Sequence, residues 1–315
     1  MKIVYFGTAQ FAVAPLKALL AHPELGTVAA VVSQPDKPFG RKRELTAVPV
    51  AALAREAGLP LLQPARLKDD AFVAAIRALA PDLIITASYG RIIPQAVLDS
   101  ARVAPLNLHG SLLPKYRGAS PIQAAILAGE TTTGVSLMVM DAEVDHGPVV
   151  SDIEVPIAAD DTHTSLERKL GDAAATLLVR DLARFCAGEL RAVPQLHDRA
   201  THTALIAKED GRIEWSTEDA AHIERKTRAY SPWPSTYFVW QRGATAVRIK
   251  ILRAAVHVAP AGMLSGTCFV SPSGNPAVVA AHGAVELLEV QSEGKGAMAG
   301  KAFLNGSRDF AGSVL

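Results

Sequence analysis

Short apolar runs alternate with helical patterns over the first two thirds of the chain. The runs predict strands at Ile3–Phe6, Val28–Val32, Leu61–Leu62, Leu83–Thr86 and Leu106–Leu108. The segments between and after them predict helices over Phe11–Leu20, Pro49–Ala57, Ala71–Leu79 and Pro121–Leu127. A further helix is predicted to begin at Pro94. Strands that alternate with helices indicate βαβ units and a mostly parallel sheet. Apolar strands bounded by turns also fit a sheet that is covered on both faces.

The pattern changes near Asp198. Two further strands, Val135–Met140 and Val149–Ile157, come before it, with a helix that is capped by Asp160 or Thr162 and ends near Gly188. The polar segment 199–210 has no clear period and is a predicted linker. Beyond it, a helix over Thr217–Tyr230 and short β runs separated by Gly and Pro turns predict a small antiparallel barrel. We therefore expect an α/β domain at residues 1–198 and a β domain at 211–315.

Composition narrows the class of protein. The chain has 315 residues, of which 49% are hydrophobic and 20% charged, so it can bury sizeable cores. Its two cysteines, Cys186 and Cys268, form no paired motif, which favours a reducing cytoplasm over a disulfide framework. No apolar run approaches the ~20 residues that span a bilayer, so no membrane is expected. The net charge of +1 neither requires nor excludes a nucleic-acid partner.

Two loops at predicted strand ends carry weaker signals. The turn Gly7–Phe11 has a single glycine and lacks the Gly-x-Gly-x-x-Gly pattern of dinucleotide sites. The segment 33–43 is longer, and four of the seven residues in 37–43 are cations: Lys37, Arg41, Lys42 and Arg43. Lys and Arg neutralise phosphates, but a solvated charged loop also fits this composition.

A third loop, residues 107–118, carries the most chemistry. Alternation along a strand places Asn107 and His109 on the same side, where an amide and an imidazole can polarise one carbonyl. Asp145 can pair with His109 and orient the ring as a proton shuttle. A structural histidine with satisfied hydrogen bonds is the alternative interpretation. Ser111 lacks the Gly-x-Ser-x-Gly elbow, so no acyl-enzyme is expected. The remaining histidines lack paired ligand spacing, so no metal is expected.

The motif Asn-x-His-x-Ser-Leu-Leu-Pro-x-Tyr-Arg-Gly, with Asp-x-x-x-Asp-x-Gly at 141–147, resembles the folate-dependent formyltransferases. Further segments are similar to the members that act on methionyl-tRNA: Gln34–Pro38, Ser120–Gln123, Gly211–Trp215 and Pro232–Pro234. The resemblance implies a Rossmann-type formyltransferase domain, a C-terminal OB-like β-barrel that helps to hold tRNA, and 10-formyltetrahydrofolate as donor. It implies initiator methionyl-tRNA as acceptor, and we expect a monomer.

The resemblance also implies roles for individual residues. Asn107, His109 and Asp145 match the catalytic trio, and the folate-contacting loop corresponds to Ser111, Leu112, Leu113 and Pro114. Arg41, with Lys42 and Arg43, falls in the loop that reaches the tRNA acceptor end. The first loop departs from the family pattern at Ala9 and Gln10. Two other functions stay open: a formyltransferase acting on a small amine such as an amino-sugar nucleotide, and an RNA-binding module without catalysis.

Overall fold

The structure, a computed structural model, describes residues 1–39 and 44–315. It divides into two compact units. The first comprises Met1–Pro121, Thr131–Ile157 and Ser165–Ala204, and the second comprises Ile122–Glu130, Ala158–Thr164 and Leu205–Leu315. The domain limits expected from the sequence, 1–198 and 211–315 with a linker at 199–210, stay a prediction.

A mostly parallel sheet forms the centre of the first unit. The strands of this unit are β1 (Lys2–Gly7), β2 (Thr27–Val32), β3 (Lys37–Phe39), β4 (Glu44–Thr46), β5 (Leu61–Leu62), β6 (Leu83–Ala87), β7 (Ala104–His109), β8 (Arg117–Gly118), β9 (Thr132–Val139), β10 (Val149–Pro156) and β11 (His202–Thr203). The order of the main sheet is β10-β9-β7-β6-β1-β2-β5. The five strands β5, β2, β1, β6 and β7 are parallel to their neighbours in this order. β9 pairs antiparallel with β7, and β10 pairs antiparallel with β9. The predicted parallel sheet, with two later strands at one edge, is confirmed.

The helices up to residue 186 are α1 (Val13–Ala21), α2 (Pro49–Glu56), α3 (Asp70–Leu79), α4 (Gln95–Leu98), α5 (Pro121–Ala128) and α6 (His163–Cys186). α2 begins at Pro49, whose ring fixes φ near its helical value. One side of the sheet packs against α3 and α4 through Phe6, Ile84, Ile76 and Val97. Because Ile3 and Tyr5 on the opposite side of β1 are also fully buried, the sheet is covered on both faces, as its apolar strands predict.

The second unit is built on an antiparallel sheet. Its elements are α7 (Ala220–Ala229), β12 (Thr236–Arg242), β13 (Thr245–His257), β14 (Cys268–Val270), β15 (Pro276–Val279), β16 (Ala284–Ser292), β17 (Met298–Ala299) and α8 (Gly300–Gly306). The strand order is β12-β13-β16-β15-β14, and β17 pairs with β16. Its core brings Trp240, Phe303 and Phe310 into edge-to-face contact. The predicted antiparallel strands are confirmed, while closure into a barrel stays a prediction.

Asp181 makes the most buried ion pairs of α6. Its side chain is 2% exposed and accepts hydrogen bonds from Arg180 Nη2 at 2.6 Å and Arg184 Nη1 at 3.3 Å. Burial acts to raise the pKa of this carboxyl, but the hydrogen bond from Arg180 and the nearby positive charges outweigh it, and the pKa is lowered. A lowered folded-state pKa stabilises the fold above the unfolded-state pKa, and this contribution is lost as pH falls through the folded-state value.

We expect Asp181→Asn to lower the free energy of unfolding at pH 7 by about 1–3 kcal/mol, since the charge-assisted bonds to two arginines are lost. Urea unfolding at pH 7 and at pH 3 is the measurement. The difference from the unaltered protein should shrink at the lower pH, because the unfolded chain then binds a proton that the folded carboxyl resists. Asp172→Asn, at an exposed position of the same helix, is the control. A difference that stays constant with pH would contradict the assignment to the carboxylate.

Candidate active site

The carboxyl end of β7 carries the first two residues of the predicted trio. Asn107 and His109 alternate with Leu108, so both side chains lie on the same face of the sheet. Asn107 pairs with Thr86 across the β6–β7 ladder and with Met138 across β7–β9. The residues therefore lie on a central strand, in the part of a sheet that is most strongly held in register. In open α/β folds, ligands bind beyond such strand ends.

Asp145 reaches both residues from the loop that follows β9. Its Oδ1 accepts a hydrogen bond from Asn107 Nδ2 at 3.2 Å, and its Oδ2 lies 3.5 Å from His109 Nδ1. The backbone N–H of Gly118 donates to the same Oδ2 at 2.8 Å. The structure thus brings the amide, imidazole and carboxylate into one cluster. Asn107 and Asp145 are only partly buried, so the cluster reaches the surface of its unit.

Both ring nitrogens of His109 have a polar neighbour, but only Nε2 makes a hydrogen bond. Nε2 lies 2.9 Å from the carbonyl oxygen of Tyr116, and because a carbonyl only accepts, Nε2 carries a hydrogen in this arrangement. A proton on Nδ1 would point at the Asp145 carboxylate. The ring is therefore more enclosed than the sequence suggests, with only 5% of the residue exposed. A reacting group must replace one of these two contacts to receive a hydrogen bond, an exchange common when catalytic geometry tightens on binding.

The predicted folate-contacting segment is anchored to β9. Ser111 is fully buried, and its hydroxyl donates to the Lys115 carbonyl at 2.6 Å. Ser136 Oγ donates to the Ser111 carbonyl at 2.9 Å and accepts from Leu113 N at 3.0 Å. The Ser111 hydroxyl therefore shapes the loop. Leu112, Leu113 and Pro114 are partly buried, so each keeps some exposed apolar surface. Contact of all four residues with folate stays a prediction.

The predicted tRNA contacts Arg41, Lys42 and Arg43 lie outside the described residues. The structure describes the chain on both sides of them, where β3 pairs with β4 in antiparallel fashion. Just before β3, Asp36 accepts hydrogen bonds from Arg55 Nη2 and Gln63 Nε2, both at 2.8 Å. Residue 36 is thus held to α2 and to the residue that follows β5.

Sequence reasoning missed the polar residues that surround the trio. Gln195, in the segment after α6, hydrogen-bonds to the loop of Asp145 and to the side chain of Arg117. The rings of His146 and His197 stack with centroids 4.1 Å apart. Gln195 belongs to no motif and to no periodic element, so no signal in a single sequence identifies it. Within residues 1–39 and 44–315, no group of three or more His, Cys, Asp or Glu side chains is arranged to hold a metal.

Two family models together match most of the chain. The formyl transferase model matches residues 1–182, which include the whole trio, and the model of the formyl transferase C-terminal domain matches residues 205–308. The chain belongs to the formyl transferase family.

Curated relatives of this formyl transferase match over nearly its full length. It is 44% identical to the methionyl-tRNA formyltransferase of Chloroflexus aggregans over 310 residues, which cover 97% of each chain. It is 41% identical to the methionyl-tRNA formyltransferase of Myxococcus xanthus, with 99% of this chain and 97% of the relative covered. The similarity to both relatives therefore extends over the regions matched by both family models.

Solved structures show the same fold at low identity. HypX from Aquifex aeolicus, solved with tetrahydrofolic acid, gives a TM-score of 0.62 at 19% identity, and the match covers 98% of this chain and 47% of HypX. This chain thus spans about half the length of HypX. WlaRD, a sugar 3N-formyltransferase, gives a TM-score of 0.64 at 15% identity, and the match covers 94% of this chain and 98% of WlaRD.

No helix in the described parts of the chain is long and apolar enough to cross a membrane.

Proposed function

We propose that this protein transfers a formyl group from 10-formyltetrahydrofolate to the amino group of methionyl initiator tRNA, for translation initiation. The observation that carries the proposal is the convergence of Asn107, His109 and Asp145 at the carboxyl end of β7. The full-length similarity to methionyl-tRNA formyltransferases supports the choice of acceptor. We further propose that the protein acts as a cytoplasmic monomer and that residues 211–315 form an OB-like barrel that holds tRNA.

The trio provides the groups that formyl transfer to an amine requires. The donor supplies an electrophilic carbonyl carbon; a new C–N bond forms to the unprotonated acceptor amine as the C–N bond to the donor breaks. Asn107 has a second N–H that is free of Asp145, and it can donate to the carbonyl oxygen as negative charge develops there. His109 donates to the same oxygen after exchanging its bond to Tyr116. The acceptor amine loses a proton, the donor nitrogen gains one, and His109 with Asp145 can relay it.

The surroundings of the trio suit a partly polar, partly apolar donor. Thr86 is the ladder partner of Asn107 and is 6% exposed, yet its hydroxyl has no hydrogen-bond partner among the residues described. A buried hydroxyl without a partner is costly, and a polar ligand group can satisfy it. Leu112, Leu113 and Pro114 offer apolar contact on the neighbouring loop. These residues would hold the folate, and the chemistry of the site fits it.

The test is formyl transfer from 10-formyltetrahydrofolate to charged initiator tRNA, with formylmethionine and released tetrahydrofolate measured together. Equal amounts of both products are expected with charged tRNA and neither with uncharged tRNA. An amino-sugar nucleotide, offered with the same donor, is the second arm. Transfer to the sugar and not to the charged tRNA would overturn the proposed acceptor. Binding of tRNA without release of tetrahydrofolate would overturn the enzymatic role itself.

Arg41 gives a prediction about the acceptor. We expect Arg41→Ala to raise KM for tRNA while leaving KM for the folate donor nearly unchanged, because one contact with phosphate is lost. The log–log dependence of tRNA affinity on salt should become shallower by about 0.7–0.9 per lost contact. Arg77→Ala, which removes an exposed cation from α3, is the matched control. Equal damage to donor and acceptor use would count against the role of the loop.

A further inference from the structure

Gln195 is only 8% exposed, and every donor and acceptor of its side-chain amide takes part in a hydrogen bond within the protein. Its Nε2 donates to the carbonyl oxygens of Asp145 at 2.9 Å and of Gly147 at 2.7 Å. Its Oε1 accepts from Arg117 Nε at 3.1 Å and from Arg117 Nη2 at 2.8 Å. An amide has two N–H donors and two acceptor lone pairs. All four are satisfied here, so the orientation of this side chain is fixed.

The backbone that Gln195 holds is strained. Asp145 has φ +51, in the left-handed region that non-glycine residues rarely adopt. Such a conformation persists only where the surroundings impose it. The two bonds from Gln195 fix the carbonyls of Asp145 and of Gly147, two residues later. Gly147 also lies against β9, since an added Cβ would sit 2.0 Å from the Val139 carbonyl oxygen.

Arg117 connects this loop to the partners of His109. The segment 116–118 supplies the Tyr116 carbonyl to His109 Nε2 and the Gly118 N–H to Asp145 Oδ2. Between these two residues, the side chain of Arg117 is 4% exposed and directs its guanidinium to Gln195. The Arg117–Gln195 contact therefore joins the two segments that touch opposite nitrogens of one imidazole.

We propose that Gln195, oriented by Arg117, is a positioning residue for formyl transfer: it sets the Asp145 backbone so that the carboxylate faces Asn107 and His109. Gln195 acts through Asp145 and does not touch the reacting groups. The kinetic test of this role rests on the proposed function. If Gln195 acts in this way, losing its two N–H donors should lower kcat more than losing its contact with Arg117.

Two substitutions separate these parts. Gln195→Leu removes every hydrogen bond at similar volume. Gln195→Glu keeps an acceptor for Arg117 but cannot donate to the two carbonyls. We expect both variants to lower kcat by about 10–100-fold, the size of effect that small misplacement of a catalytic group produces, with KM for donor and tRNA within about twofold of normal. Gln95→Leu, at an exposed position of α4, is the control and should change neither constant. A normal kcat in Gln195→Glu, with the fold intact, would overturn the inference.

A double-mutant cycle with Asp145→Asn tests whether the effect passes through Asp145. If it does, Gln195→Leu should lower kcat little further in the Asp145→Asn background. Full additivity of the two losses would overturn the inference. The nitrogen-15 NMR signals of the His109 ring give a readout independent of transfer, and they should shift in Gln195→Leu and not in Gln95→Leu. Unshifted signals would also overturn it. Failure of the proposed function would appear separately, as no transfer by the unaltered protein.

Discussion

Replacing His109 by alanine is expected to lower kcat for formyl transfer by about 10²–10³-fold, the usual loss when one donor to a developing oxyanion is removed. The imidazole is the trio member that contacts both a carboxylate and a backbone carbonyl, so its loss removes a hydrogen-bond donor and the proton relay together. Steady-state kinetics with charged initiator tRNA give the measurement. KM for the folate donor should change much less than kcat, since the ring acts on the reaction more than on binding.

Folding must be monitored in the same variant. The Tyr116 carbonyl loses its His109 donor, which should cost about 1–3 kcal/mol of stability, so the protein should still fold. Thermal unfolding checks this. His22→Ala removes a surface histidine whose partner is Glu24 and serves as the matched control, with normal kcat expected. A His109→Ala protein that folds and keeps its kcat would disprove the role given to the imidazole.

Gly118→Ala is expected to destabilise the first unit and to disturb the trio at the same time. Gly118 has φ +103, and an added Cβ would lie 2.4 Å from the carbonyl oxygen of Thr203. The backbone must therefore move, and with it the N–H that donates to Asp145 Oδ2. We expect a loss of about 3 kcal/mol or more in the free energy of unfolding, from strain and displaced contacts together. We also expect a fall in kcat at temperatures where the protein remains folded.

Gly188 provides the matched control for that substitution. It has φ +77, but an added Cβ would meet no atom within 4 Å. Gly188→Ala should therefore show only the cost of the left-handed backbone, about 1 kcal/mol, with normal kcat. Urea unfolding of both variants is the comparison. Equal stability losses in the two would show that the close approach between Gly118 and Thr203 contributes nothing.

The sequence predicts elements that have a strong period and misses those that lack one. β1 and β6 are built around the buried apolar runs Ile3–Phe6 and Leu83–Ile85, so composition alone predicts where they lie. β8 and β11 have two residues each, and their parallel pairing depends on a contact between positions far apart in the chain. Two residues establish no alternation, and the polar segment that contains β11 instead suggests a linker.

The candidate site shows the same limit. Asn107 and His109 are identified because strand alternation places them on one face and because their spacing matches a family motif. Gln195 contributes through hydrogen bonds to the Asp145 and Gly147 carbonyls, which are common to all residue types and leave no trace in side-chain pattern. The two contacts on the His109 ring are also three-dimensional facts. A sequence indicates which chemistry is available, whereas the partners of each nitrogen depend on the folded loops.

The short pairing of β8 with β11 bears on how the enzyme is made. The hydroxyl of Thr201 accepts from the Tyr116 N–H, and that of Thr203 donates to the Arg117 carbonyl and accepts from the Ser120 N–H. Both threonines lie beyond residue 182, where the match to the first family model ends. During synthesis from the amino terminus, the nascent chain holds every member of the trio long before it holds the residues that clamp them. The segment 116–120 can therefore gain these hydrogen bonds only after the chain has been made past residue 203.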